Sequence, residues 1–159
     1  MSERIRRWDR GRDVIDNLLK RREFQRVPAD DEAAARMIQS ARTHLVSAST
    51  IRDSDPQMAM AVAYDAARKA LAALLETQGL RATSQGGHIA LRDAALAQFG
   101  GLPGAQPLQT LDRLRRRRNT VEYLETTIDA DEAAEAHARA SEIVVFAEQI
   151  VDRLPPYGQ

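Results

Sequence analysis

Residues 55–79 constrain the fold more than any other stretch of the chain. Asp55 and Pro56 open it and Gly79 closes it. Between them Met58, Ala59, Val62, Ala63, Ala66, Ala70, Leu71, Leu74 and Leu75 recur at helical intervals. An Asp side chain can accept the orphan N–H groups of a first turn, Pro suits that turn, and Gly suits the position after the last one. The spacing predicts one long helix whose apolar residues cover more than half its circumference, as a helix surrounded by other helices requires. Tyr64 is its one large polar-tipped residue.

The remaining segments read the same way. Asp30 is the expected cap of a helix over about 31–52, where Ala34, Met37, Ile38, Ala41, Leu45 and Ala48 make one buried stripe and His44 sits at its edge. Gly86 and Gly87 lead into a helix over about 88–99. Residues 100–107, with three glycines and two prolines, form a surface loop. A fourth helix is expected over 108–125. The pair Asp129 and Glu132 announces a fifth, with Ala133, Ala136, Ala140, Ile143, Val144, Ala147, Ile150, Val151 and Leu154 on its core face before Pro155 and Pro156. No stretch alternates with period two for long enough to predict a strand. The expected fold class is all-α, an antiparallel bundle of four to five helices. Its boundaries are a basic N-terminal helical arm at 1–28 and the bundle at 29–159. Within the arm, Val14, Ile15, Leu18 and Leu19 give a short amphipathic helix, either loosely docked, bound to a partner or packed on the bundle.

A chain of 159 residues is long enough to bury a core without metals or disulfides, and it contains no cysteine. No apolar run reaches the roughly 18–20 residues of a membrane span, and the basic N-terminus has no apolar stretch behind it. The expectation is a cytoplasmic protein with no membrane partner. The formal net charge is zero but unevenly placed. Residues 1–26 carry nine bases against five acids, residues 113–118 hold five arginines, and residues 122–153 carry nine acids against two bases. Such asymmetry suits a polyanion or an acidic partner, or basic and acidic helices lying side by side.

The vocabulary of cofactor chemistry is missing: there is no P-loop, Rossmann glycine pattern, paired metal-spaced histidines or serine elbow, so no cofactor or metal is expected. Chemistry concentrates on the fourth helix. Arg118 and Glu122 are four residues apart and share a face; Asn119 and Tyr123 do the same one step round, and Arg115 lies one turn before Asn119. Arg118 also falls near the stripe of Leu111, Leu114 and Val121, where a cation must be paired or used on an anion. These can be ordinary helix-surface pairs worth about 0.2–0.5 kcal/mol each, with Arg113, Arg115, Arg116 and Arg117 a solvated charge run. His88, after two glycines at a helix start, is either an anion-binding residue or a capping one. His137, among acids and alanines, reads as a surface residue. Trp8, set among Arg4, Arg6, Arg7, Arg10 and Arg12, reads as an RNA-contacting aromatic or a hydrophobic latch.

Taken in order, Tyr64-Asp-Ala-Ala-Arg-Lys-Ala-Leu71, Gly79-Leu-Arg81, Gly87-His88 and Arg118-Asn-x-x-Glu-Tyr123 resemble a subgroup of prokaryotic HEPN domains over about residues 30–154. The family signature is an arginine, a polar residue, three variable residues and a histidine. Here Arg118 and Asn119 fit, and Tyr123 stands in place of the histidine. The resemblance implies a small helical bundle that dimerises. It also implies binding of RNA or a nucleotide in a shared groove lined by Arg118, Asn119, Glu122 and Tyr123, with Arg115 and His88 as further candidate binding residues, and work with a protein partner such as a nucleotidyltransferase-type antitoxin. Toxin members cleave RNA without metal, so Arg118 and Tyr123 are the candidate catalytic pair. A phenol with a pKa near 10 stays protonated where an imidazole near 6.5 exchanges protons, so the departure favours binding over turnover. The alternatives are a metal-independent endoribonuclease toxin and a plain protein–protein interaction module.

Overall fold

The computed structural model describes residues 3–124 and 127–158, with residues 121–124 described by backbone alone. The described residues form helices α1 (Arg12–Lys20), α2 (Asp31–Ile51), α3 (Pro56–Glu76), α4 (Gly87–Phe99), α5 (Leu111–Leu124) and α6 (Ala130–Ile150). Two short strands, β1 (Phe24–Arg26) and β2 (Leu80–Ala82), pair antiparallel with Gln25 opposite Arg81. The chain is thus mostly helical, as expected. The sheet is a correction to the reading that no strand exists: three residues are too few to show a period of two, and the pairing comes from tertiary contact. The fourth expected helix also begins later, because Gln106–Thr110 winds as a 3-10 turn before α5. None of the described helices is long and apolar enough to cross a membrane.

The anticipated caps are in place. Asp30 accepts from the N–H of Ala33 at 2.8 Å, Asp55 from Met58 at 3.0 Å and Asp129 from Glu132 at 2.8 Å. Each satisfies a donor that would otherwise be orphaned, worth about 0.5–2 kcal/mol. Helix α3 is the centre of the fold and packs chiefly on α2 and α6. Its contact faces are made of small residues: Ala59, Ala63, Ala66, Ala67, Ala70 and Ala73 are buried, facing partners that themselves bury Ala34, Ala41 and Ala48 on α2 and Ala136, Ala140 and Ala147 on α6.

Residues 3–28 pack on this core. Ile15, Leu18 and Phe24 are buried, and α1 lies against α4. Trp8 is the latch of the two readings given for it, its ring 5.8 Å from that of Phe99. The C-terminal residues tie the same region down. The backbone N–H of Tyr157 donates to the carbonyl of Gln78 at 2.8 Å and its hydroxyl to Asp16 at 2.5 Å. Burial, the Asp16 hydrogen bond and the Asp16 charge push the Tyr157 phenol up to about 12. Behind β2, Gln78 and Gln98 form a closed amide pair inside the core, each donating Nε2 to the other's Oε1 at 2.9 and 2.8 Å; Gln78 Nε2 also donates to the carbonyl of Leu74 at 2.8 Å.

Candidate functional site

The candidate site is built where α3, α4 and α5 meet. On α3, residues 64, 65 and 68 share one side of the helix. Tyr64 is buried with only 3% of its surface exposed, and its hydroxyl oxygen lies 3.0 Å from Nδ1 of His88 on the first turn of α4. The two rings are 5.5 Å apart and tilted. The guanidinium of Arg118, reaching over from α5, sits 5.5 Å above the Tyr64 ring, a cation–π distance. Arg68 is held by Asp65 through Nε at 3.1 Å and Nη2 at 2.5 Å. Asp65 also lies 3.1 Å from Nδ1 of His44 on α2.

The arginine run on α5 is sorted by the helix period. Asp112 gathers three cations: Arg92 of α4 at 2.7 Å, Arg115 at 3.1 Å and Arg116 at 2.7 Å. Burial works against ionisation of Asp112, yet hydrogen bonds from Arg92 and Arg115 hold its carboxyl below the usual carboxylate range. Arg117 turns the other way and pairs with Glu132 of α6. Arg113 is exposed. The run is therefore neither one solvated stripe nor one site: Arg118 lies over Tyr64, Arg115 and Arg116 share Asp112, and Arg117 serves Glu132.

The electrostatic consequence appears on the two aromatic groups. Burial lowers the pKa of His88 below its ordinary 6.5, and the positive charges of Arg68, Arg118 and Arg115 push it further in the same direction. Burial raises the Tyr64 phenol against the opposing pull of the same arginines. His88 is accordingly neutral at pH 7, with one ring nitrogen committed to Tyr64. If Nδ1 carries the proton and donates to the Tyr64 oxygen, Nε2 is left as a free base; in the other tautomer Nε2–H is a donor. Arg68 is paired with Asp65 and Arg115 with Asp112, and the planar fork of a guanidinium presents donors that also suit a phosphate.

The structure brings Arg115, Arg118 and His88 together. Asn119 is half-buried beside Arg118 on α5. Glu122 and Tyr123 lie on the last turn of α5, and their side chains fall outside the described residues. Arg68, Arg92 and Asp112 were not singled out in the sequence. The i, i+4 relation of Tyr64 and Arg68 would have found the first, whereas Arg92 and Asp112 meet only through the α4–α5 contact. His137, expected on the surface, is half-buried in the seam between α6 and α2, with Nε2 2.9 Å from the carbonyl of Leu45. Among the described residues, no group of three or more His, Asp or Glu side chains is placed to hold a metal ion. No protein-family model, curated protein or solved structure matches this chain.

Proposed function

We propose that this chain is a HEPN-like protein that binds RNA or a nucleotide, with Arg68, Arg115 and Arg118 holding phosphate beside the Tyr64–His88 pair. In this reading it acts as a homodimer with α5 of each copy lining a shared groove, and works with a protein partner of the antitoxin kind. The observation that carries it is the Arg118 guanidinium over the ring of a buried tyrosine whose hydroxyl meets His88, with Arg68 beside His88 on a shared cavity. Asp65 and Asp112 take only some of the N–H donors of Arg68 and Arg115, and a guanidinium carries five, so donors remain for a phosphate oxygen.

The test is binding and cleavage of labelled total RNA in EDTA by the wild type, Arg118→Ala and Tyr123→Phe. The expected outcome is binding without cleavage. Hydrogen bonds to charged groups are worth about 1.5–3 kcal/mol, so Arg118→Ala should weaken binding about 10- to 150-fold. It should also make the slope of log affinity against log salt shallower by about 0.7 for each phosphate that Arg118 neutralises. Unaltered binding by Arg118→Ala would refute the reading.

One observation favours the endoribonuclease alternative. His88 supplies a neutral imidazole at the arginine cluster, so the proton-transfer group absent from position 123 has a replacement from another helix. Metal-independent cleavage by the wild type that disappears in His88→Ala would establish this alternative in place of the binding reading.

A further inference from the structure

His88 and Arg68 have a second face. Both also line a cavity of about 360 Å³ between α3, β2 and the start of α4. This lies at the lower end of the roughly 300–1,000 Å³ typical of small-molecule sites. The lining is more apolar than polar. Met37, Ala72, Leu75 and Leu91 make its apolar wall. Against them stands the carboxylate of Glu76, whose side chain is 8% exposed and which Arg81 holds through Nη2 at 2.7 Å and Nε at 3.3 Å. Thr83 and Ser84, from the loop before α4, also line it.

Three features of this cavity point one way. A mainly apolar cavity with a fixed carboxylate on one side suits an aromatic heterocycle. Arg81 approaches Glu76 side-on, which occupies one lone pair on each carboxylate oxygen and leaves the others able to accept from N–H donors. The first turn of α4 lacks a side-chain cap, because Gly86 stands at the N-cap, and Gly87 has φ +54° with open space where a Cβ would stand. Thr83 takes the N–H groups of Gly86 and Gly87, and the open space beside Gly87 lies on the cavity.

We propose that this cavity receives the base of a nucleotide whose phosphate lies on the arginine cluster, and that Glu76 selects bases carrying an exocyclic amino group. The inference rests on the phosphate-binding reading above. Adenine and cytosine present an amino donor to the Glu76 carboxylate, whereas uracil presents a carbonyl oxygen at the corresponding edge and is repelled. The shared chemistry is a base joined to a phosphate, from either a free mononucleotide or an unpaired residue of an RNA strand.

The full chain is titrated with AMP, CMP, UMP and ribose 5-phosphate, and occupancy is followed by the His88 ring resonances. Ribose 5-phosphate reads the arginine cluster alone. The wild type should bind AMP and CMP at least about tenfold more tightly than UMP, since a site built for a hydrogen bond rejects a ligand that leaves it unmade. Glu76→Gln, whose amide both donates and accepts, should erase that preference. Ser84→Phe, on an exposed loop and outside the core, should reduce AMP to the affinity of ribose 5-phosphate while leaving ribose 5-phosphate unchanged. Equal binding of AMP and UMP by the wild type, or unchanged AMP binding by Ser84→Phe, overturns the proposal and leaves phosphate binding standing. Failure of ribose 5-phosphate and all the nucleotides to bind overturns both. Competition between AMP and an oligoadenylate then separates the sources: preference for the strand identifies RNA, and preference for AMP identifies a free nucleotide.

Discussion

Replacing Gln98 by leucine removes one half of a closed amide pair and leaves the other half buried. Gln98 is fully buried and Gln78 is 2% exposed. In Gln98→Leu the Oε1 of Gln78 and one of its two N–H groups lose their partner, while the second N–H stays on Leu74. Each buried group left unsatisfied costs about 1–3 kcal/mol. The substitution should therefore cost about 2–4 kcal/mol, with relief from the added apolar packing already counted in the lower figure. For a chain of this length that is a fall in Tm of roughly 5–15 °C. Gln78→Leu should be worse, because the carbonyl of Leu74, in the last turn of α3, is stranded along with both ends of Gln98. The double variant strands only that carbonyl. It should be more stable than Gln78→Leu and no less stable than Gln98→Leu, so the coupling is at least as large as the Gln78→Leu loss, about 3 kcal/mol or more. Urea denaturation followed by circular dichroism measures all four corners of the cycle. Additive losses, with the double variant as unstable as the sum of the singles, would refute the argument that the two amides satisfy each other.

Other outcomes follow from the same structure. His88 should titrate below 6.5 in the free protein, because burial and then Arg68, Arg118 and Arg115 disfavour its charge. Its contribution to stability is then fully present above about pH 6.5 and lost as pH falls through the unfolded value of about 6.5 towards the folded one; inorganic phosphate should move the midpoint upward, and a histidine resonance fixed at or above 6.5 without ligand would contradict the site's electrostatics. Ile15→Ala, at a fully buried position, should cost about 2–5 kcal/mol, whereas Val14→Ala, 36% exposed, should stay within about 0.5 kcal/mol; thermal melts of the pair test whether α1 belongs to the core. Gly11→Ala should destabilise by at least about 2 kcal/mol, since Gly11 has φ +70° and a Cβ there would lie 2.7 Å from the backbone carbon of Ala97; faster proteolysis within residues 1–22 would report the undocking of α1.

The fold was legible where local signals and packing agree. Asp55, Pro56 and the apolar residues up to Leu75 specify α3 almost to its ends, and Asp30 and Asp129 fix the starts of α2 and α6, because caps and helical periodicity are written within a few residues of one another. The β1–β2 pair was not legible: Phe24 and Leu80 are 56 positions apart, and three residues carry no period. The start of α5 was misjudged by a turn because Leu108 continues the apolar spacing of Leu111 and Leu114 through a 3-10 segment that only the path of the backbone distinguishes. For the site, Arg118 stood out because it fell beside an apolar stripe. Its setting did not: Tyr64, the one large polar-tipped residue of α3, is core, yet its hydroxyl reaches His88 and its ring face meets Arg118. A sequence pattern assigns a residue to one environment, and Tyr64 occupies two.

The alanine faces of α3 also set the direction in which this protein can change. Where Ala63, Ala66, Ala67 and Ala70 are fully buried against neighbouring helices, a substitution has almost no way to make the side chain smaller; only glycine remains, and it loosens the helix by about 1 kcal/mol. Every other replacement is an enlargement, and an alanine has no rotamer through which the surroundings can make room. Drift along this helix is therefore one-sided. Neighbouring helices would have to move apart before α3 could accept a single added methylene, so compensating changes must arise on α2 or α6 first. Variation should collect on α1, α4 and the loops, where larger side chains can exchange volume with one another, while α3 stays nearly fixed in composition for reasons of geometry alone.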